Sequence, residues 1–216
     1  MTISAGTIWY SGAGASTISV SPVAVGDILV VVSSIHQAGS LSGASVSGGG
    51  VTTWNFSVTA GWRFDNTSSN YVGLFWGVVT STGASAITLY GGSGATYLEA
   101  CAQEFSSSLT GGGTWAQTVG GYGQSATVFD AAVSVPSGDA LWAGAALAYG
   151  NTVGGSYTGV TYEVFGFESL LAYSTPGANA SYQPTYTSTG THHVTEDTVL
   201  TYTPPASTAN PIVMIV

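Results

Sequence analysis

Two imidazoles and two carboxylates fall within six residues at His192-His193-Val194-Thr195-Glu196-Asp197. A transition ion such as zinc takes nitrogen and carboxylate ligands of this kind. In an extended segment, His192 and Glu196 would share one face and His193 and Asp197 the other. No third, spaced His or Cys completes a set. We therefore read the segment as a polar turn between Tyr186 and a strand starting at Thr198, with no metal and no cofactor expected.

Glycoside hydrolysis needs two carboxylates roughly 5–10 Å apart. Glu99 and Glu104, like Glu163 and Glu168, are separated by an odd offset that places them on opposite faces of a strand. A Ser-His-Asp hydrolase would need a nucleophile elbow, and no G-x-S-x-G occurs. His36 follows an apolar strand and reads as a loop or core imidazole. Asp65-Asn66 beside Arg63 reads as a turn. The chain is thus expected not to be an enzyme. Trp62, Trp115 and Tyr122 stand in Gly-rich or polar stretches, where binding residues usually lie. They are the candidates for glycan or subunit contact. Trp9, Trp54, Trp76 and Trp142 fall in strands and read as packing residues.

Nearly every element that could position these residues is a strand. Apolar residues come in short runs or alternation, divided by Gly, Ser, Pro and Asn clusters. Strands are expected at Thr7–Tyr10, Ser16–Val20, Ile28–Ile35, Thr53–Thr59, Tyr71–Val79, Ala86–Tyr90, Tyr97–Phe105, Ala126–Val135, Ala140–Tyr149, Thr161–Leu171, Tyr182–Thr187, Thr198–Thr203 and Ile212–Val216. Breakers are expected at Ser47–Gly50, Gly91–Gly94, Gly111–Gly113, Gly120–Gly123 and Gly154–Ser156. The pattern predicts one all-β domain over residues 1–216, a two-sheet antiparallel sandwich of jelly-roll type with little or no helix.

Two short similarities hint at an internal repeat. Val20–Val30 (VSPVAVGDILV) and Val133–Trp142 (VSVPSGDALW) both run strand, Pro, loop, Gly-Asp, strand. Thr80–Ala86 (TSTGASA) and Ser174–Ala180 (STPGANA) each follow an aromatic and aliphatic strand.

Charged residues are 5% of the chain, against roughly 25% in ordinary soluble domains. Arg63 is the only basic residue beside ten carboxylates, giving a net charge of −9. Such a surface cannot neutralise phosphates, so neither nucleic acid nor an anionic membrane is expected as a partner. Apolar residues at 44% exclude a disordered chain. Cys101 stands alone in an apolar run and reads as a buried thiol. The opening MTISAGTIWY lacks a basic n-region and an apolar h-region, so no secretory signal is expected. The apolar stretches are too short for a membrane-spanning helix.

Several segments together carry a resemblance. They are Val25-Gly26-Asp27-Ile28-Leu29-Val30-Val31-Val32, then Trp54, Phe75-Trp76-Gly77-Val78-Val79, Ala86-Ile87-Thr88-Leu89 and Glu99-Ala100-Cys101-Ala102-Gln103-Glu104-Phe105. This order resembles jelly-roll domains in virion proteins of tailed bacteriophages, particularly of actinobacterial hosts, such as minor tail and capsid-decorating proteins. The resemblance implies a non-enzymatic structural protein located in the virion. Its partners would be other virion proteins and identical subunits, with host-glycan adsorption as an additional role. The rival readings are a free-standing carbohydrate-binding module and a small glycan-active hydrolase.

Overall fold

The structure is a computed structural model. It describes residues 2–12, 14–36, 45–57, 63–65, 70–92, 97–108, 113–124, 129, 133–135, 140–148, 153–166, 169–175, 180–182, 184–189 and 193–206. Among these residues there is no helix, and every ladder between strands is antiparallel. The strands of the amino-terminal half are β1 (Ile3–Tyr10), β2 (Thr17–Val20), β3 (Ile28–His36), β4 (Ser45–Gly48), β5 (Val51–Phe56), β6 (Arg63–Asp65), β7 (Asn70–Val79), β8 (Ser85–Tyr90) and β9 (Tyr97–Ser107). Those of the carboxy-terminal half are β10 (Thr114–Gly123), β11 (Val133–Val135), β12 (Ala140–Ala148), β13 (Val153–Gly154), β14 (Thr161–Phe165), β15 (Ser169–Ser174), β16 (Ala180–Tyr182), β17 (Thr187–Ser188) and β18 (His193–Thr203).

The two halves repeat one strand order. In the first, β1-β9-β3-β7-β5 form the large sheet, with β6 also on β7, and β2-β8-β4 form a smaller one. In the second, β10-β18-β12-β15-β14 form the large sheet, while β11 pairs β16 and β13 pairs β17. In both halves the order reads first strand, last strand, then the strand that follows the Gly-Asp pair of the sequence. Both sequence similarities fall on matching connections, β2 to β3 with β11 to β12, and β7 to β8 with β15 to β16.

The large sheets pack face to face. β3 lies against β15 and β7 against β12, so equivalent strands meet reciprocally, as across an isologous two-fold contact. A central core forms between them from Ile28, Val30, Val32 and Leu74 on one side and Leu141, Ala145, Leu171 and Leu200 on the other. Each large sheet also has an outer core. Leu29, Val31 and Phe75 meet Ile18, Ile87 and Leu89, and Trp142, Ala146 and Leu170 meet Phe129 and Tyr186. This explains the unbroken apolar runs of β3 and β12. Successive side chains point to opposite faces, and both faces are covered.

Several sequence expectations are corrected. Gly120–Gly123 is not a breaker but the end of β10. A Cβ at Gly120 would overlap the Ser57 carbonyl, so glycine allows the close approach there. Thr161–Leu171 is a hairpin of β14 and β15, turning at Gly166 with φ of 60°. Gly154 lies in β13, although it was expected in a breaker. The expected strand at Ile212–Val216 lies outside the described residues.

Neither large sheet can bury its central face alone. Residues 1–109 and 112–216, co-expressed as two chains, should therefore co-purify as a 1:1 complex in light scattering. A monodisperse, monomeric 1–109 fragment would show that the central core is dispensable.

Candidate functional site

The His192–Asp197 segment is not a turn. From His193 onward it is the first part of β18, a strand with neighbours on both sides. His193, Glu196 and Asp197 are buried, with Glu196 fully so. His192 lies outside the described residues. The alternation divides the rest. His193 packs edge-on toward Tyr186, with ring centroids 6.3 Å apart, and the Trp142 indole N–H donates to Asp197 Oδ2 at 3.3 Å. Glu196 points the other way, into the central core. Among the described residues no three His, Cys, Asp or Glu side chains are grouped as a metal site requires.

Glu196 is the centre of a polar network between the halves. Its Oε2 accepts the Ser57 hydroxyl at 2.5 Å and the Leu74 amide at 3.0 Å. Gln117 Nε2 donates to the Ser57 carbonyl at 2.5 Å, and the Trp76 indole N–H donates to Gln117 Oε1 at 3.1 Å. Ser169 donates to Ser34 across the same interface at 2.6 Å. Glu196 is thus buried with donors from the opposite sheet, and Asp197 with a donor from the neighbouring strand of its own sheet.

Glu99 and Glu104 sit on opposite faces of β9. Glu99 is buried, and a Cβ at Gly166 would overlap its carboxylate. Glu104 is buried and accepts the Val23 amide at 2.8 Å. Glu163 accepts the Tyr10 hydroxyl at 3.3 Å. Desolvation, and then the Glu163 carboxylate, push the Tyr10 phenol up to about 12. Glu168 lies outside the described residues. Cys101 is buried, and desolvation raises its thiol well above 9.0, which leaves little thiolate for nucleophilic chemistry.

The aromatic candidates separate. Trp115 is not a loop residue but the second residue of β10. It is 7% exposed, donates its indole N–H to the Gly26 carbonyl at 3.0 Å and packs edge-on against Tyr202. It joins the halves and offers no contact surface. Tyr122, also in β10, is 51% exposed. Trp62 lies outside the described residues. Sequence reasoning missed Tyr10, Tyr90 and Tyr157, which are exposed as well. Their positions at strand ends or between strands carried the signal.

Among the described residues, no helix is long and apolar enough to cross a membrane. Comparison with protein-family models, curated proteins and solved structures returned no match.

Removing the Glu196 acceptor leaves a hydroxyl and an amide buried without it. Glu196→Ala should cost about 2–4 kcal/mol, and Glu196→Gln, which keeps a carbonyl oxygen, should cost less. Urea unfolding with an unchanged m-value would measure both. Equal, near-zero losses would contradict the role given to this carboxylate.

Proposed function

We propose that the chain is a non-enzymatic structural protein of a bacteriophage particle, tail-associated or capsid-decorating, working through contacts with identical and other virion subunits. The observation that carries this reading is a pair of edge strands that hold no charged residue. β1 and β10 each bound a large sheet, and their exposed residues are Ser4, Ala5, Gly6, Thr7 and Tyr10, then Thr114, Ala116, Thr118, Gly120 and Tyr122. Free-standing sheets usually blunt such edges with lysine or other charges. These edges carry none and fit a setting in which neighbouring subunits cover them.

The strand order supports a jelly-roll reading of each half. With β6 set aside, the first half reads 1-8-3-6-5 and 2-7-4. That order is the one expected of a jelly roll whose fifth strand had joined the first sheet. A chain of two such halves provides two related sets of edges.

A second reading, glycan binding by a carbohydrate-binding module or at the virion surface, is favoured by Tyr122. It is 51% exposed and stands among Gly120, Gly121 and Gly123 in an edge strand. Tyr122→Ala would abolish glycan binding without changing assembly if the ring is a stacking platform.

Contacts built from neutral hydrogen bonds and apolar surface depend weakly on ionic strength, unlike charge-steered ones. Sedimentation of the chain, alone and with its particle, should show bound fractions that change less than about twofold between 0.05 and 1 M sodium chloride. Dissociation in moderate salt would refute this account of the interface. A strict monomer that joins no particle and binds a soluble glycan would favour the binding module.

A further inference from the structure

Between β2 and β3 the chain turns a corner that displays apolar side chains. Val23 is 74% exposed and Val25 67%, the highest values among the large apolar residues described. Ala24 between them is exposed too. Despite this exposure, the backbone is firmly fastened. Gly26 donates to the Val79 carbonyl at 2.9 Å, Val79 to the Asp27 carbonyl at 2.8 Å, Gly83 to the Pro22 carbonyl at 3.1 Å and Asp27 to the Ala24 carbonyl at 3.3 Å. Trp115, from the other half, donates to the Gly26 carbonyl.

The remaining fastening is made by a side chain. Glu104 Oε1 accepts the Val23 amide at 2.8 Å, from a carboxylate only 2% exposed. The register of β3 on β9 sets Leu29 opposite Glu104, so Asp27 is the next side chain on that face, and its carboxyl lies within reach of the same Glu104. Two carboxyl groups can share a hydrogen bond only when one of them carries a proton. We propose that Asp27 and Glu104 form a one-proton latch that fastens the Val23–Ala24–Val25 corner and loosens it when the proton leaves.

The surroundings leave the proton as the means of relieving the repulsion. β1 brings Gly6 against Glu104, β10 brings the neutral Trp115 and β7 brings Val79. Among the described residues, Glu104 is the charged group that acts on Asp27, and no cation offsets it. Arg63 pairs with Val72, at the far end of β7 from the corner, and His36 ends β3 at its far end. Tyr10 and Tyr122 stand at the far ends of β1 and β10.

Desolvation, then the Glu104 charge, raise Asp27 from 3.8 to about 6. A carboxyl whose folded value is raised binds its proton more tightly when the corner is closed. The stabilisation is complete below the ordinary value near 3.8, declines as pH rises and is gone above about 6. The corner is therefore tight in acid and looser near neutrality. This is the reverse of a corner held by a carboxylate–cation pair.

Amide hydrogen exchange of the full chain between pH 3.5 and 8, corrected for intrinsic rates, tests the latch. Opening at Val23 should rise by up to about tenfold per pH unit from about 4 to about 6 and then level off. In Asp27→Asn, whose amide can donate to Glu104 at any pH, the profile should be flat. Val31, in the outer core behind the corner, should not follow Val23 in either protein. Titration of the Asp27 carboxyl carbon by NMR gives a second readout, expected near 6. A carboxyl titrating near 3.8, identical Val23 profiles in the two proteins, or equal loss of protection at Val31 would each overturn the proposal.

Discussion

Ten carboxylates share this chain with one guanidinium, so a buried carboxylate must find neutral donors or hold a proton. An ionised carboxyl in a low-dielectric interior is costly unless its oxygens are hydrogen-bonded, and bonds to it are stronger than neutral ones. Glu196 meets this need with Ser57 and the Leu74 amide, Asp197 with the Trp142 indole and Glu104 with the Val23 amide. At the surface, Glu163 takes the Tyr10 hydroxyl. In every case the donor is at least 55 residues away in the chain. Each carboxylate therefore acts as a tertiary clamp. Glu196 and Glu163 clamp one half to the other, and Glu104 clamps a corner to the last strand of its own half.

The doubled strand order gives these clamps their setting. A lone sandwich has two covered inner faces and two wet outer ones. Here the large sheet of each half is covered on both sides, and the central core between the halves is as apolar as the outer ones. Small residues allow this layering. β12 reads ALWAGAALA, and a Cβ at Gly144 would overlap Trp142 and Phe129. The charge-poor composition then reads as a consequence of geometry. Among the described residues much of the chain is interior, and the exterior is rich in Ser, Thr, Gly and Tyr, with apolar side chains such as Val23 and Val25.

What was legible in the sequence was the part governed by hydrophobic pattern. β3, β7 and β12 stand out as apolar runs, and the two Gly-Asp pairs precede equivalent strands in the halves. What was not legible depended on distant partners. Within β10, Gly120 is where another backbone approaches, and nothing local signals that approach. The first residues of β18 looked like a turn because the donors to Glu196, Ser57 and the Leu74 amide, lie more than a hundred residues upstream. Val194 and Leu200 lie on the Glu196 side of β18 and face the central core, an alternation that was the available clue. Trp115 looked exposed between glycines, yet its indole closes the contact with Gly26. The Asp27–Glu104 pair required β9 to be placed beside β3 before it could be seen at all.

If neutral donors rather than cations hold the carboxylates, salt has no attractive ion pairs to weaken and can only screen the repulsion among like charges. The direct test is the thermal unfolding midpoint of the full chain at pH 7 in about 0.02 and about 1 M sodium chloride, a range over which the screening length falls to roughly 3 Å. The midpoint should stay constant or rise with salt. A midpoint that falls by several degrees would show that attractive charge pairs hold this fold together, and would contradict the account.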